Sequence, residues 1–146
     1  MTNELPAVVF DIDGTVALRD KGPEGREPYD MTRVGEDQPN VAVLEIAKMI
    51  AASGKAKVVF FSGRDSSARR QTKIWLDHHF GTEYHVYMRA EGDKRPDEQV
   101  KADMYGYLRA FRPILAVFDD RNKVVDMWRE KGLTCFQVCS REQGNF

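Results

Sequence analysis

The sequence is short of the features that would set it apart from ordinary soluble domains. It has two cysteines and three histidines in 146 residues. Cys135 and Cys139 lack the close cysteine and histidine partners of a zinc site and read as buried or half-buried thiols. His78 and His79 read as the end of a helix, and with His85 they form no metal-ligand spacing. No apolar run approaches the roughly 20 residues that a membrane span needs. The segment Met1 to Pro6 lacks the basic-then-apolar character of a signal peptide, so a cytoplasmic setting with no membrane partner is expected. No Gly-x-x-x-x-Gly-Lys-[Ser/Thr] phosphate loop occurs in the chain, nor any internal repeat or low-complexity linker. A formal net charge of −1 argues against a broad electrostatic nucleic-acid footprint. It leaves room for one narrow basic groove around Arg64, Arg69, Arg70 and Lys73.

What is present is a folded-protein composition, 42% apolar and 31% charged, at a length that suits one domain over residues 1–146. Short apolar runs alternate with amphipathic segments, which predicts an α/β fold. Its expected form is a three-layer sandwich with a central parallel sheet of about five strands and helices on both faces. The expected strands are Ala7 to Asp11, Lys57 to Phe61, Tyr84 to Met88, Ile114 to Phe118 and Thr134 to Val138. The helix from Asn40, a plausible N-cap, to Ser53 would bury Val41, Leu44, Ala47 and Ile50 or Met49. That from Ser66 to Phe80 would bury Ile74, Leu76 and Trp75. The helix from Asp97 to Phe111 carries Val100, Met104, Tyr107 and Leu108, and a last one runs from Val124 to about Lys131. Residues 16–38 form a polar stretch with Gly22, Pro23, Gly25 and Pro28, too long for a simple connection. Such a segment is usually functional or disordered, and composition does not choose between a lid over the site and a mobile flap.

The chemistry gathers where strands end. Val8-Val9-Phe10-Asp11-Ile12-Asp13-Gly14-Thr15 delivers two carboxylates from an apolar strand into a glycine turn. Period-two alternation would point Asp11 and Asp13 the same way. One carboxylate can attack phosphorus while the other handles the proton, with a divalent cation beside them. A calcium loop fails on spacing, since its fifth, sixth and twelfth positions would be Thr15, Val16 and Gly22. Ser62-Gly63 supplies a hydroxyl and backbone N–H groups at a strand-to-helix junction, where anions are favoured. Asp119-Asp120 sets two like charges side by side, a costly arrangement unless a hard cation or Arg121 offsets them. Lys101 lies four residues after Asp97, and by spacing alone the two read as an ordinary surface ion pair. In an open parallel sheet, ligands bind beyond the carboxyl ends of the strands, so these sets should converge.

In this order the elements resemble the haloacid dehalogenase superfamily of phosphohydrolases. Asp11-Ile12-Asp13-Gly14-Thr15, Ser62, Lys101 and Asp119-Asp120 look like its four motifs. A closer similarity runs from Ala7 to the C-terminus, to the 3′-phosphatase domain of phage-type polynucleotide kinase. It is carried by Arg26-Glu27-Pro28-Tyr29-Asp30, Ser62-Gly63-Arg64, Asp97-Glu98-Gln99-Val100-Lys101, Asp119-Asp120-Arg121, Val124-Val125-Asp126-Met127-Trp128-Arg129 and Cys135-Phe136-Gln137-Val138. The loop between Thr15 and Arg26 looks longer than the family's, and the kinase phosphate loop is missing.

The resemblance implies a haloacid-dehalogenase-like domain with a small loop or flap cap, and Mg²⁺-dependent removal of a 3′-phosphate from DNA or RNA ends. Asp11 would be the nucleophile, Asp13 the acid and base, and Lys101 the catalytic cation. Mg²⁺ would be held by Asp11, the Asp13 main-chain carbonyl, Asp119 and Asp120. Thr15, Ser62 and Gly63 would bind substrate, with Asp97 orienting Lys101. Arg26 and Arg64 would reach the nucleic-acid backbone or the substrate phosphate. A separate kinase or ligase is the implied partner. Two other readings stay open: a phosphatase of mononucleotides or other small phosphate esters, and a non-catalytic module that binds metal or a nucleic-acid end. Oligomeric state stays open as well.

Overall fold

Every residue of the first strand, Ala7–Asp11 (β1), is buried, because it lies at the middle of the sheet with cover on both sides. The structure is a computed structural model that describes residues 4–146. After β1 come Ala17–Leu18 (β2), Gln38–Pro39 (β3), Val41–Ser53 (α1), Lys57–Asp65 (β4) and Arg69–His79 (α2). His85–Arg89 (β5), Asp97–Leu108 (α3), Ile114–Asp119 (β6), Asn122–Glu130 (α4) and Cys135–Gln137 (β7) complete the order. The main sheet has five strands in the order β5-β4-β1-β6-β7, all parallel.

Alternation along the strands sorts the core into two layers. Val8, Phe10, Val58, Phe60 and Val86 face α1 and α2, where they meet Val43, Leu44, Ala47, Trp75 and Leu76. Ala7, Val9, Val59, Phe61 and Val117 face the other way, against Val100, Met104 and Leu108 of α3 and Val124, Val125 and Trp128 of α4. Parallel strands joined by helical crossovers demand cover on both faces, and this chain supplies it. No helix among the described residues is long and apolar enough to cross a membrane.

Several expected core positions lie outside. Val41 and Met49 are exposed on α1, which turns Val43, Leu44 and Ala47 inward instead. That helix is apolar nearly all round, so periodicity did not single out its buried face. Ile74 is exposed on α2, which buries Thr72, Trp75 and Leu76. Tyr107 is exposed because it stands one position, about 100° of helix, off the Val100-Met104-Leu108 stripe. Asn40 occupies the N-cap position of α1 but makes no side-chain cap; its Nδ2 donates to the Thr15 carbonyl at 3.0 Å.

The polar stretch 16–38 is an ordered flap. β2 and β3 pair antiparallel and close its base, and a 3-10 segment over Met31–Glu36 lies between them. β4 does not stop at Phe61 but runs on to Asp65, so the helix N-terminus lies beyond Ser62, with a 3-10 turn at Ser66–Ala68 capped by Asp65.

Candidate active site

The three strands whose ends carry polar residues, β4, β1 and β6, are neighbours at the centre of the sheet. Asp11 is paired with Phe61, the residue before Ser62, on one side and lies beside the end of β6 that carries Asp119 on the other. Asp11, Asp119, Asp120, Ser62, Thr15 and Lys101 are all buried. The sheet thus brings together groups that the sequence spreads from residue 11 to residue 120.

Lys101 organises the centre. Its ammonium donates to Asp11 Oδ1 at 2.7 Å and to Asp119 Oδ2 at 3.1 Å, and it lies 3.4 Å from Asp97 Oδ2. Lys101 is only 1% exposed, so the Asp97–Lys101 pair is no surface ion pair. Burial disfavours its charge, but the surrounding carboxylates outweigh that and raise its pKa, so it is a fixed cation. The other oxygen of Asp11 accepts from Thr15 Oγ1 at 3.2 Å. Asp119 Oδ1 accepts the main-chain N–H of Asp120 at 2.9 Å, and Trp128 Nε1 lies 3.4 Å from Asp119 Oδ2.

Asp13 lies in a different setting. β1 ends at Asp11, and Asp13 forms an isolated bridge with Ala17, so strand alternation does not govern its direction. Its side chain is 44% exposed, whereas that of Asp11 is 7%. Arg64 donates to Asp13 through Nε at 3.0 Å and Nη2 at 2.8 Å, and Arg26 Nη2 donates at 3.1 Å. Partial burial opposes ionisation, but the Arg64 charge and hydrogen bond, then Arg26, hold the carboxyl below its ordinary value.

Both arginines are buried and turned inward, and both also hold Asp37. Arg26 donates to Asp37 through Nε and Nη2, each at 2.8 Å, and Arg64 Nη2 donates at 2.9 Å. Thr72 Oγ1 accepts from Arg64 Nη1 at 3.0 Å, and Trp75 Nε1 donates to the Asp37 carbonyl at 2.8 Å. Two guanidiniums against two carboxylates make a balanced buried cluster. Nothing local marks Asp37 in the sequence: it is one acidic residue in a polar stretch, and only the folded flap brings it to the arginines.

Two glycines owe their identity to space. A Cβ on Gly14, which has φ of +82°, would lie 1.9 Å from Asp120 Oδ2. A Cβ on Gly63 would lie 2.1 Å from Asp97 Oδ1. The Ser62 hydroxyl oxygen accepts the Arg64 main-chain N–H at 3.1 Å, which leaves its own proton free to donate.

The donor set suits a hard divalent cation. Asp11, Asp119 and Asp120 each offer a carboxylate oxygen, all within 4.8 Å of one another. One lysine does not balance three buried carboxylates. Burial, then Asp119, raises Asp11 well above the ordinary carboxylate range; burial and Asp119 likewise push Asp120 up to about 6, against a hydrogen bond with Asp11. A bound cation would remove that strain. Among the described residues no buried side-chain N or O lacks a partner, so the cluster is otherwise complete.

Comparison with known proteins agrees with this architecture. The polynucleotide kinase PNKP phosphatase domain family matches residues 5–146. A protein of Autographa californica nuclear polyhedrosis virus, described as a bifunctional polynucleotide kinase/RNA ligase, is 36% identical over 137 residues; the match spans 91% of this chain and 19% of that protein. A chain in the structure of the Pnkp1/Rnl/Hen1 RNA repair complex is similar at 34% identity and a TM-score of 0.79, over 94% of this chain and 43% of that one. A chain in a second structure of the Pnkp1/Rnl/Hen1 complex gives 36% and 0.82, over 92% and 45%. The chain thus spans less than half the length of these relatives. With the fold, the motif order and the family match in agreement, the chain belongs to the polynucleotide kinase PNKP phosphatase-domain family and is a phosphatase of the haloacid dehalogenase type.

Proposed function

We propose that this chain removes the 3′-phosphate from nucleic-acid ends through an aspartyl-phosphate on Asp11. The observation that carries the reading is the split between two nearby carboxylates. Asp11 is buried with both oxygens aimed by Lys101 and Thr15, while Asp13 is half-open to solvent and steered by two arginines. That is the division of labour between a nucleophile and an acid–base group.

In the first step an Asp11 oxygen forms a bond to phosphorus as the bond to the sugar 3′-oxygen breaks. Asp13 gives that oxygen its proton, leaving a 3′-hydroxyl. In the second step ionised Asp13 takes a proton from water, whose oxygen attacks phosphorus; Asp11 is released and inorganic phosphate leaves. In the free protein the arginines keep Asp13 ionised. A phosphate dianion arriving beside it raises its proton affinity, which suits the donor role of the first step. Lys101 and the Ser62 hydroxyl would take charge developing on the phosphoryl oxygens. Asp11, Asp119 and Asp120, with the Asp13 main-chain carbonyl, would hold Mg²⁺. The ion would supply Lewis-acid neutralisation of phosphate charge.

The relatives' association with polynucleotide kinase, RNA ligase and RNA repair supports an end-healing role beside kinase and ligase activities, with RNA ends as the favoured substrate. The test is phosphate release, with and without Mg²⁺, from an oligonucleotide bearing a 3′-phosphate. Its comparisons are the 5′-phosphorylated oligonucleotide, a 3′-mononucleotide and a small aryl phosphate. Marked preference for the first, lost on chelation and in a folded Asp11→Asn variant, is the expected result. Equal or better turnover of the small substrates would favour the small-molecule phosphatase instead.

A further inference from the structure

Glu27-Pro28-Tyr29-Asp30 is a β-turn, closed by the Asp30 N–H donating to the Glu27 carbonyl at 3.0 Å, with proline at the position where its fixed φ suits the turn. Arg26 Nη1 donates to the carbonyls of Glu27, at 3.3 Å, and Pro28, at 3.0 Å. On the far side Asp30 caps the 3-10 segment, accepting from the Thr32 N–H at 3.1 Å. The backbone on either side of Tyr29 is therefore pinned. Yet its side chain is 89% exposed, the most of any large hydrophobic among the described residues.

The guanidinium that holds this turn also holds Asp13, at 3.1 Å through its other terminal nitrogen. Adding bond lengths and hydrogen bonds, the Tyr29 backbone lies within about 10 Å of the Asp13 carboxylate. That is the scale of one nucleoside. An exposed aromatic side chain on a backbone pinned this close to the group that protonates the leaving 3′-oxygen is within reach of the base on the same sugar.

We propose that Tyr29 is the stacking platform for the terminal nucleobase, so that the site takes a base-bearing 3′ end rather than any phosphate monoester. The proposal rests on the 3′-phosphatase reading. Stacking is tolerant of base identity, because every base offers a π face. The platform would therefore recognise an end without reading its sequence.

The test compares Tyr29→Ala, Tyr29→Phe and Tyr29→Trp with the wild type. The substrates are a 3′-phosphorylated oligonucleotide and the same oligonucleotide with an abasic terminal nucleotide. Tyr29→Ala should lower kcat/KM on the base-bearing end about five- to hundredfold, mainly through KM. Phe and Trp should restore it to within a few fold. The Ala penalty should be at least fivefold smaller on the abasic end. An equal penalty on both ends, or none on either, would overturn the proposal, and a melting temperature unchanged in Tyr29→Ala guards against a folding artefact. A wild-type chain inactive on the 3′-phosphorylated oligonucleotide would overturn the phosphatase reading itself, and the platform with it.

Discussion

Replacing Asp37 with alanine should damage both folding and catalysis, although Asp37 touches neither substrate nor metal in the mechanism above. Asp37 is 4% exposed, and its carboxylate accepts three hydrogen bonds from Arg26 and Arg64, which are 3% and 2% exposed. Removal leaves two buried guanidiniums facing Asp13 alone, one uncompensated positive charge. Breaking a buried ionic network on one side costs about 3–5 kcal/mol. A domain of 146 residues unfolds with an entropy near 0.3 kcal/mol/K, so the melting temperature should fall by roughly 10–15 °C. Asp37→Asn keeps the shape and one acceptor but leaves the same uncompensated charge, so it should lose nearly as much. Both arginines would then close on Asp13, so kcat should drop by about a hundredfold, within the range attributed to general acid–base groups. Thermal unfolding gives the first number. Turnover measured well below each variant's melting point gives the second. A variant that melts within about 2 °C of wild type at undiminished kcat would show that Asp37 does not hold this cluster together.

Three further outcomes follow from the same geometry. Lys101→Met should leave Asp11 and Asp119 without their shared donor, cutting kcat by about a hundredfold or more. In chelator it should also melt at lower temperature, with Mg²⁺ restoring part of the loss; absence of any Mg²⁺ effect on its melting would count against the cation site. Asp120 is pushed up from 3.8 to about 6, so in metal-free protein its contribution to stability is complete only below the ordinary value of 3.8 and is lost as pH rises through about 6. Mg²⁺ favours the ionised form, so its stabilising shift should be small at pH 5 and large at pH 7.5; a shift independent of pH would refute this assignment. The Asp13 contribution has the opposite sign and is lost only at more acid pH, below the ordinary carboxylate range, which keeps the two separable. Arg64→Ala should slow a 3′-phosphorylated oligonucleotide and an aryl phosphate alike, because Arg64 holds Asp13; a selective loss on the oligonucleotide would assign it to the polynucleotide backbone.

Much of the sheet could be read from the sequence because its strands are short apolar runs ending in chemistry, and the sheet's rules place such ends together. Asp11, Asp119 and Ser62 were legible for that reason. Lys101 was not, from spacing: only tertiary packing of α3 against the sheet decides whether an i, i+4 lysine points to water or to Asp11. Helix faces failed where polarity gave no contrast, as on α1, or where a neighbouring position competed, as with Tyr107 and Leu108. Asp37 was invisible because its partners lie 11 and 27 residues away and its own surroundings read as loop. Arg26 and Arg64 could be picked out by resemblance, but their inward direction is a property of the folded flap.

The closure of the flap bears on where the chain tolerates insertion. β2 and β3 zip its base, Asn40 ties it to the Thr15 carbonyl, and Arg26 with Asp37 fixes its interior. The stretch from Arg19 to Gly25 lies outside those fastenings, apart from local turns, one bond from Arg19 to the Arg26 carbonyl and one from Arg33 to the Glu24 carbonyl. Each doubling of a flexible loop adds only about 0.6 kcal/mol of closure entropy. Residues can therefore be inserted there without moving Asp11, Asp13 or the arginines. Length can vary in this segment while the reaction centre beside it keeps its geometry.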